Sequence, residues 1–299
     1  MKRAELTEFF EERGVVLFDA AMGTALIAAG MPSGMGSEEM NLSAPDTVFR
    51  IHCENIEAGS DVVTSNTFGV SQMMIRGKKE GALEALREAV CLAKQAASGR
   101  RSRLACLCVG PVGELLGPLG DVSYEAAAEL FALQAEAGAA AGADFIMLET
   151  FADAEEFTHA AVAAVGASDL PVLGTMTFGE NCRSFMGASP IDVARRNDEQ
   201  AIGLFALGAN CTLGPEEIVP VVKEFIDAVG GLPVIAQPNA GLPVYKAGGS
   251  VYEMTPADFA AGAEKLLALG ISAIGGCCGT TPDMIALVRG IIDKRRNER

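Results

Sequence analysis

Positive charge is scarce in this sequence. Lys and Arg number 23 against 39 Asp and Glu, a formal net charge of −16 over 299 residues. A field of that sign repels phosphate backbones, which argues against nucleic acid and anionic membrane surfaces as partners. Long hydrophobic runs are missing as well. The uncharged stretch from Ala228 to Tyr245 is interrupted by Pro, Gly, Asn and Gln, so it does not read as a membrane span. The start, Met1-Lys2-Arg3-Ala4-Glu5, runs into Glu8, Glu11 and Glu12 with no apolar core behind it. No export signal is expected, and the location expected is the cytoplasm. There is no linker, low-complexity tract or shift in composition, so one domain is expected over residues 1–299. Trp is absent and aromatics make 6%, while Gly alone numbers 34. Small residues at that level suit closely packed helices and strands joined by tight turns. Apolar residues make 49% and charged residues 21%, so the chain is not a disordered one and can bury a large core. Eight cysteines without a leader do not form a small disulfide scaffold, and the expected state is reduced thiols.

What is present is a repeated strand-then-helix pattern. Strands are predicted at Val15–Ala20, Val62–Asn66, Leu104–Val109, Phe145–Glu149, Val172–Thr177, Ala209–Leu213, Val234–Gln237 and Ala273–Gly276. Between them lie amphipathic stretches. Ile218, Val221, Val222, Phe225, Ile226 and Val229 make the stripe of a helix with one buried face. Ser189-Pro190, Thr255-Pro256 and Thr281-Pro282 each offer a capping hydroxyl, then Pro at the first helical position and an acid in the first turn. Gly59, Gly142, Gly208 and Gly270 sit where helices should end. Eight strands alternating with eight helices predict an α/β fold, a (β/α)8 TIM barrel. The rival is an open doubly wound sheet, which lacks support because no G-x-G-x-x-G follows the first strand. The excursion Gly23–Ala44 after strand one is expected to shape a site on the upper face.

The pair Cys277-Cys278 stands at the end of strand eight in Gly275-Gly276-Cys277-Cys278-Gly279-Thr280-Thr281-Pro282. Neighbouring side chains on a regular strand point to opposite faces, so both thiols reach one point only if the backbone leaves the strand, as glycine permits. Cys211 closes strand six, whose end should lie on the same face of a barrel. Two readings stay open on spacing alone. The sulfurs either form an open zinc site with three ligands and a free position, or are small buried core residues. For Cys53, Cys91, Cys106, Cys108 and Cys182 the core reading is the expectation. No second C-x-x-C pair exists, which excludes a structural zinc finger. No Lys at a strand end suits a Schiff base, which argues against an aldolase-type barrel, and the glycines after strands seven and eight are explained better by the cysteines than by a phosphate site. His52 and His159 fall on helices away from the barrel mouth and are read as packing or surface residues.

These segments, together with Asp19-Ala20-Ala21-Met22-Gly23-Thr24, Ser65-Asn66-Thr67-Phe68-Gly69, Gly110-Pro111-Val112-Gly113-Glu114, Glu149-Thr150-Phe151, Asn210-Cys211-Thr212-Leu213-Gly214-Pro215 and Pro238-Asn239-Ala240-Gly241, resemble the homocysteine S-methyltransferase family over essentially the whole chain. Ser184–Pro190 and the Gly-Glu-Leu at 113–115 resemble the branch formed by the homocysteine-binding barrel of cobalamin-dependent methionine synthase. The resemblance implies Zn2+ on Cys211, Cys277 and Cys278, methyl transfer to the thiol of homocysteine, and methionine as product. Zinc lowers the pKa of a thiol that is otherwise mostly protonated, so no protein acid or base is expected to act beyond the metal site. The resemblance also implies that Glu149 pairs with the substrate amino group, and that Asn239 fills the free metal position when substrate is absent. The competing readings are a salt bridge for Glu149 and a turn-forming Asn239. Gly23 and Thr24 can offer backbone N–H groups to the substrate carboxylate, and Asp19 and Asn66 support the pocket or merely pack beneath it. The sequence ends after the eighth helix, without the folate and cobalamin modules of the large enzyme. The expected donor is therefore methylcobalamin carried by a separate corrinoid protein. S-methylmethionine or S-adenosylmethionine as donor, and a non-catalytic zinc- and homocysteine-binding subunit, are the alternatives.

Overall fold

The structure is a computed structural model that describes residues 1–98, 103–246 and 249–298. Eight parallel strands form one sheet: β1 (Val16–Leu17), β2 (Val62–Thr64), β3 (Leu104–Val109), β4 (Phe145–Phe151), β5 (Val172–Met176), β6 (Ala206–Asn210), β7 (Val234–Gln237) and β10 (Ala273–Ile274). Their order is β1-β10-β7-β6-β5-β4-β3-β2, with twelve α-helices among the described residues around them. This is a (β/α)8 TIM barrel. No backbone ladder is formed between β1 and β2, and the seam is closed by one backbone bond together with two carboxylates. Asp61 accepts from the Leu17 N–H (3.0 Å) while donating its own N–H to the Leu17 carbonyl (2.6 Å). Asp19 accepts from the Thr64 N–H and from its hydroxyl, both at 2.8 Å. Asp61 is fully buried and is ringed by Arg13, Arg103 and Arg289, which keep its charge compensated.

Period-two alternation explains what fills the barrel. Val62, Leu104, Phe145, Leu173, Ala206 and Ile235 point inward in its lower part, with Phe18 and Phe145 edge to face at 6.1 Å. Two or four residues further up, the inward positions turn polar: Thr64, Cys108, Glu149, Thr175, Asn210 and Gln237. Apolar filling below and polar groups above place the chemistry at the strands' C-terminal ends. The outward residues, such as Leu107, Ile146, Leu148 and Leu207, join the larger core beneath the helices. A helix at Arg3–Arg13 plugs the floor through Leu6, Phe9 and Phe10, and Phe10 meets Phe205 at 5.1 Å.

Several expectations need correction. The sixth strand is Ala206–Asn210, three residues earlier than predicted, so Cys211 follows the strand rather than lying in it. Gly59, Gly142 and Gly270 do adopt positive φ, but Gly208 is inside β6. A Cβ on Gly208 would overlap the Ile235 carbonyl of the neighbouring strand, so close strand packing accounts for that glycine. Ser189 and Thr255 cap their helices through Asp192 N (3.1 Å) and Asp258 N (3.2 Å), whereas the Thr281 side chain makes no cap bond. An antiparallel hairpin, β8 (Val244–Lys246) and β9 (Gly249–Val251), follows β7 and was not expected. Among the described residues no helix is long and apolar enough to cross a membrane.

Candidate metal centre at the barrel mouth

The sulfurs of Cys211, Cys277 and Cys278 all lie within 4.8 Å of one another, with Cys211 Sγ 3.9 Å from Cys278 Sγ. Each is delivered by a departure from strand geometry. Cys211 and Thr212 both have positive φ, 61° and 59°, a conformation that non-glycine residues adopt at a cost of order 1–3 kcal/mol each. The Cys211 N–H donates to the Gln237 carbonyl (3.0 Å), which fixes the turn. On the other side β10 ends at Ile274 and the chain folds back. Thr280 donates its N–H to the Cys277 carbonyl (3.1 Å), with Gly279 at φ 80°. That four-residue turn puts both cysteines on one side, as the flanking glycines allow. The Thr280 hydroxyl donates to the same carbonyl (2.7 Å) and accepts from the Ala21 N–H (3.1 Å), tying the turn to the start of the helix Met22–Ala28.

Three thiols this close cannot all ionise without a cation. Cys277 is pushed well up by its sulfur neighbours and by burial, and Cys211 is raised to about 11, while hydrogen bonds from Cys211 and Cys277 hold Cys278 down. A soft divalent ion would resolve that conflict, and a set of three thiolates suits Zn2+. The buried side-chain amide oxygens of Asn239 (Oδ1) and Gln237 (Oε1) lack a hydrogen-bond partner among the described residues, which is what an electron-poor guest would use. Asn239 is clamped beside the pair, because Pro238 accepts from Cys277 N (2.8 Å) and Ala240 donates to the Cys278 carbonyl (2.9 Å). The donor set therefore fits zinc.

A cavity of about 310 Å³ opens beside the sulfurs. Its walls include Asp19, Gly23, Thr24, Asn66, Glu149, Cys211, Cys277 and Cys278, so eight of the nine sequence-predicted site residues meet there. Asn239, the ninth, is not among the wall residues, though its two chain neighbours bond to Cys277 and Cys278. Glu149 stands where β4 is irregular: its pairing with β5 slips between Leu148 and Phe151, and Thr150 has φ 62°. Asn210 locks that irregularity, accepting from Thr150 N (2.9 Å) and donating to its hydroxyl (2.6 Å). Burial pushes the Glu149 carboxyl up, a hydrogen bond from Cys108 pulls it down, and the charge of Cys278 adds to the rise. Asp19 is raised to about 7 by burial, and Thr64 occupies its oxygens. Asn66 donates to Ser37 O (2.7 Å) and Asn41 Oδ1 (2.9 Å), anchoring the Gly23–Ala44 excursion over the mouth as expected.

Cys108 is buried, as the core reading expects, but it is more than filler. Its thiol faces the cavity and donates to Glu149 Oε1 at 3.0 Å. The available signal was its position as the last inward residue of β3. Tyr252, just beyond the hairpin, also escaped notice; it packs on Gly279 and donates to Cys278, and burial raises its phenol. The core reading holds for Cys106, which lies in the barrel interior. His52 is buried in the helix Pro45–Glu57, and His159 stacks on Tyr124 at 5.2 Å.

Fold and site together define a TIM-barrel protein with a three-cysteine centre at the mouth. The chain belongs to the homocysteine S-methyltransferase family, whose model matches residues 16–292. It is 30% identical to methionine synthase of Mycobacterium tuberculosis over 96% of its length, and 29% identical to that of Mycobacterium leprae. It spans about a quarter of the length of these curated relatives (25% of each). The fold is shared with the homocysteine methyltransferase MmuM of Escherichia coli in its metallated form: TM-score 0.76, 23% identity, covering 93% of this chain and 96% of that one. A methyltransferase from Methanosarcina mazei is similar at TM-score 0.61 and 14% identity, over 94% of both chains.

Proposed function

We propose that this protein transfers a methyl group to the thiol of homocysteine, giving methionine, at a zinc centre held by Cys211, Cys277 and Cys278. The observation that carries the reading is the convergence of three sulfurs on a cavity that also contains a buried carboxylate. Zn2+ bound there would supply a Lewis acid that lowers the pKa of a substrate thiol and keeps its sulfur electron-rich. The chain's own residues do the rest. Glu149 offers a fixed negative charge to the substrate ammonium, and Gly23 and Thr24, which line the same cavity, offer backbone N–H groups to its carboxylate. Asp19 and Asn66 hold the walls through Thr64 and Ser37 rather than reaching the substrate. With zinc bound and substrate absent, Asn239 would be the residue to offer a further oxygen donor, since its side-chain oxygen is buried and has no hydrogen-bond partner among the described residues.

The donor we propose is methylcobalamin on a separate corrinoid protein. Exposed apolar side chains on the segments that follow four of the strands favour a macromolecular donor: Ile27 and Leu42 after β1, Leu115 and Leu119 after β3, Phe185 and Met186 after β5, Leu242 and Tyr245 after β7. Phe185 and Tyr245 are 83% and 84% exposed, Leu115, Leu119, Phe185 and Met186 line one cavity together, and exposed apolar groups gathered in that way mark a docking face.

Metal analysis of the purified protein should give about one zinc per chain, lost in Cys211→Ala or Cys278→Ala; folded, fully active protein without zinc would end the proposal. An assay of homocysteine with methylcobalamin, S-methylmethionine and S-adenosylmethionine in parallel decides the donor. Methionine from methylcobalamin is the expected result. Turnover with S-methylmethionine alone would replace the corrinoid donor, and tight homocysteine binding with no turnover would point to a non-catalytic subunit.

A further inference from the structure

One buried nucleophilic side chain is left over by the mechanism above. Cys108 is 1% exposed, faces the cavity and is not one of the three convergent cysteines. Its backbone is held from outside the β-ladder. Cys108 donates its N–H to Ser65 Oγ (3.1 Å), and its carbonyl accepts from Thr67 Oγ1 (2.6 Å). The two hydroxyls are themselves 2.8 Å apart. Thus the residues that follow β2 clamp the last inward position of β3, and that position aims its S–H at Glu149 Oε1, 3.0 Å away. Burial pushes this thiol well up, so it stays a proton donor.

We propose that Cys108 is a positioning residue: it holds the Glu149 carboxylate in the orientation that recognises the amino group of the thiol substrate, and so sets the preference for an amino-acid thiol over a plain one. This rests on the reading of Glu149 as the ammonium partner. A thiol suits the task because it is a weak donor. It fixes one oxygen while leaving the carboxylate its charge and its remaining lone pairs for a cation. A buried carboxylate with no donor at all would lose its fixed direction and swing away from the ammonium position.

The test is discrimination between homocysteine and γ-mercaptobutyrate, the same thiol chain without the amino group. Binding of each is measured by calorimetry on the full chain, with zinc content determined for every variant. In Cys108→Ala the preference for homocysteine should fall about fivefold, as expected for losing roughly 1 kcal/mol of hydrogen bonding, with zinc unchanged and γ-mercaptobutyrate binding as before. Cys108→Ser, whose hydroxyl is shorter but still a donor, should recover part of that preference. Equal weakening of both ligands in Cys108→Ala, or an unchanged ratio, overturns the proposal. Glu149→Gln separates the two levels. A loss of preference there with none in Cys108→Ala sinks only the positioning role, whereas an unchanged ratio in Glu149→Gln sinks the reading of Glu149 itself.

Discussion

His52 isolates a single-residue effect. It is fully buried, neither ring nitrogen has a hydrogen-bond partner among the described residues, and burial lowers its pKa from the ordinary 6.5 to about 4. The folded state therefore holds His52 neutral while the unfolded state protonates it. The stability this contributes is complete above pH 6.5 and is lost as pH falls from 6.5 to 4, to the extent of about 3 kcal/mol. Asp19 and Glu156, both raised to about 7 by burial, work in the opposite direction, since their protonated forms favour folding at low pH. A comparison of His52→Leu with wild type cancels them. Thermal midpoints across pH 7 to 4 should fall less in the variant, and parallel curves would show that His52 takes no part in acid unfolding. Little of this was visible beforehand: the sequence places His52 on a helix, but only packing shows that no donor or acceptor reaches it. Cys108 teaches the same lesson. The period of β3 puts Cys106 and Cys108 on one face, yet whether the upper one is filler or a donor depends on Glu149, 41 positions later in the chain.

At the scale of elements, local rules worked where burial and backbone preference agree. The apolar runs at Leu104–Val109 and Val234–Gln237 are strands with the predicted bounds. The capped starts at Ser189 and Thr255 open helices because a side-chain oxygen satisfies an otherwise free N–H. The sixth strand was misplaced because Ala206-Leu207-Gly208-Ala209 is too small and weakly patterned to show its register by itself. Its glycine is required by the neighbouring strand, not by a turn. Two substitutions separate these demands. Gly208→Ala should cost several kcal/mol or abolish folding, because its Cβ would meet the Ile235 backbone, which cannot give way. Gly290→Ala, in the interior of the helix Pro282–Asn297 with nothing near its Cβ, should stabilise by about 0.5–1 kcal/mol. Chemical denaturation of both variants checks the pair, and a tolerated Gly208→Ala would contradict the packing assigned to β6 and β7.

For the whole molecule the decisive quantities are charge and closure. At −16 the surface repels itself, and most of its ion pairs, such as Arg50–Glu54 and Lys265–Glu216, are exposed and worth little. Added NaCl, which cuts the screening length to about 10 Å at 0.1 M, should raise the thermal midpoint; a fall would mean that attractive pairs outweigh the surplus acids. The sequence by itself determined the alternation of strand and helix, the capped helix starts at Ser189 and Thr255 and the glycine-flanked cysteine pair at the end of the last strand. These follow from local periodicity, turn chemistry and residue type, which act over a few residues. Only the tertiary structure decided that Cys211 meets a pair 67 residues away, that Cys108 rather than solvent orients Glu149, and that one backbone bond and two carboxylates instead of a ladder seal β1 to β2. Those contacts exist because the sheet curls round until its first and last strands are neighbours, and no short-range pattern carries the angle at which it closes.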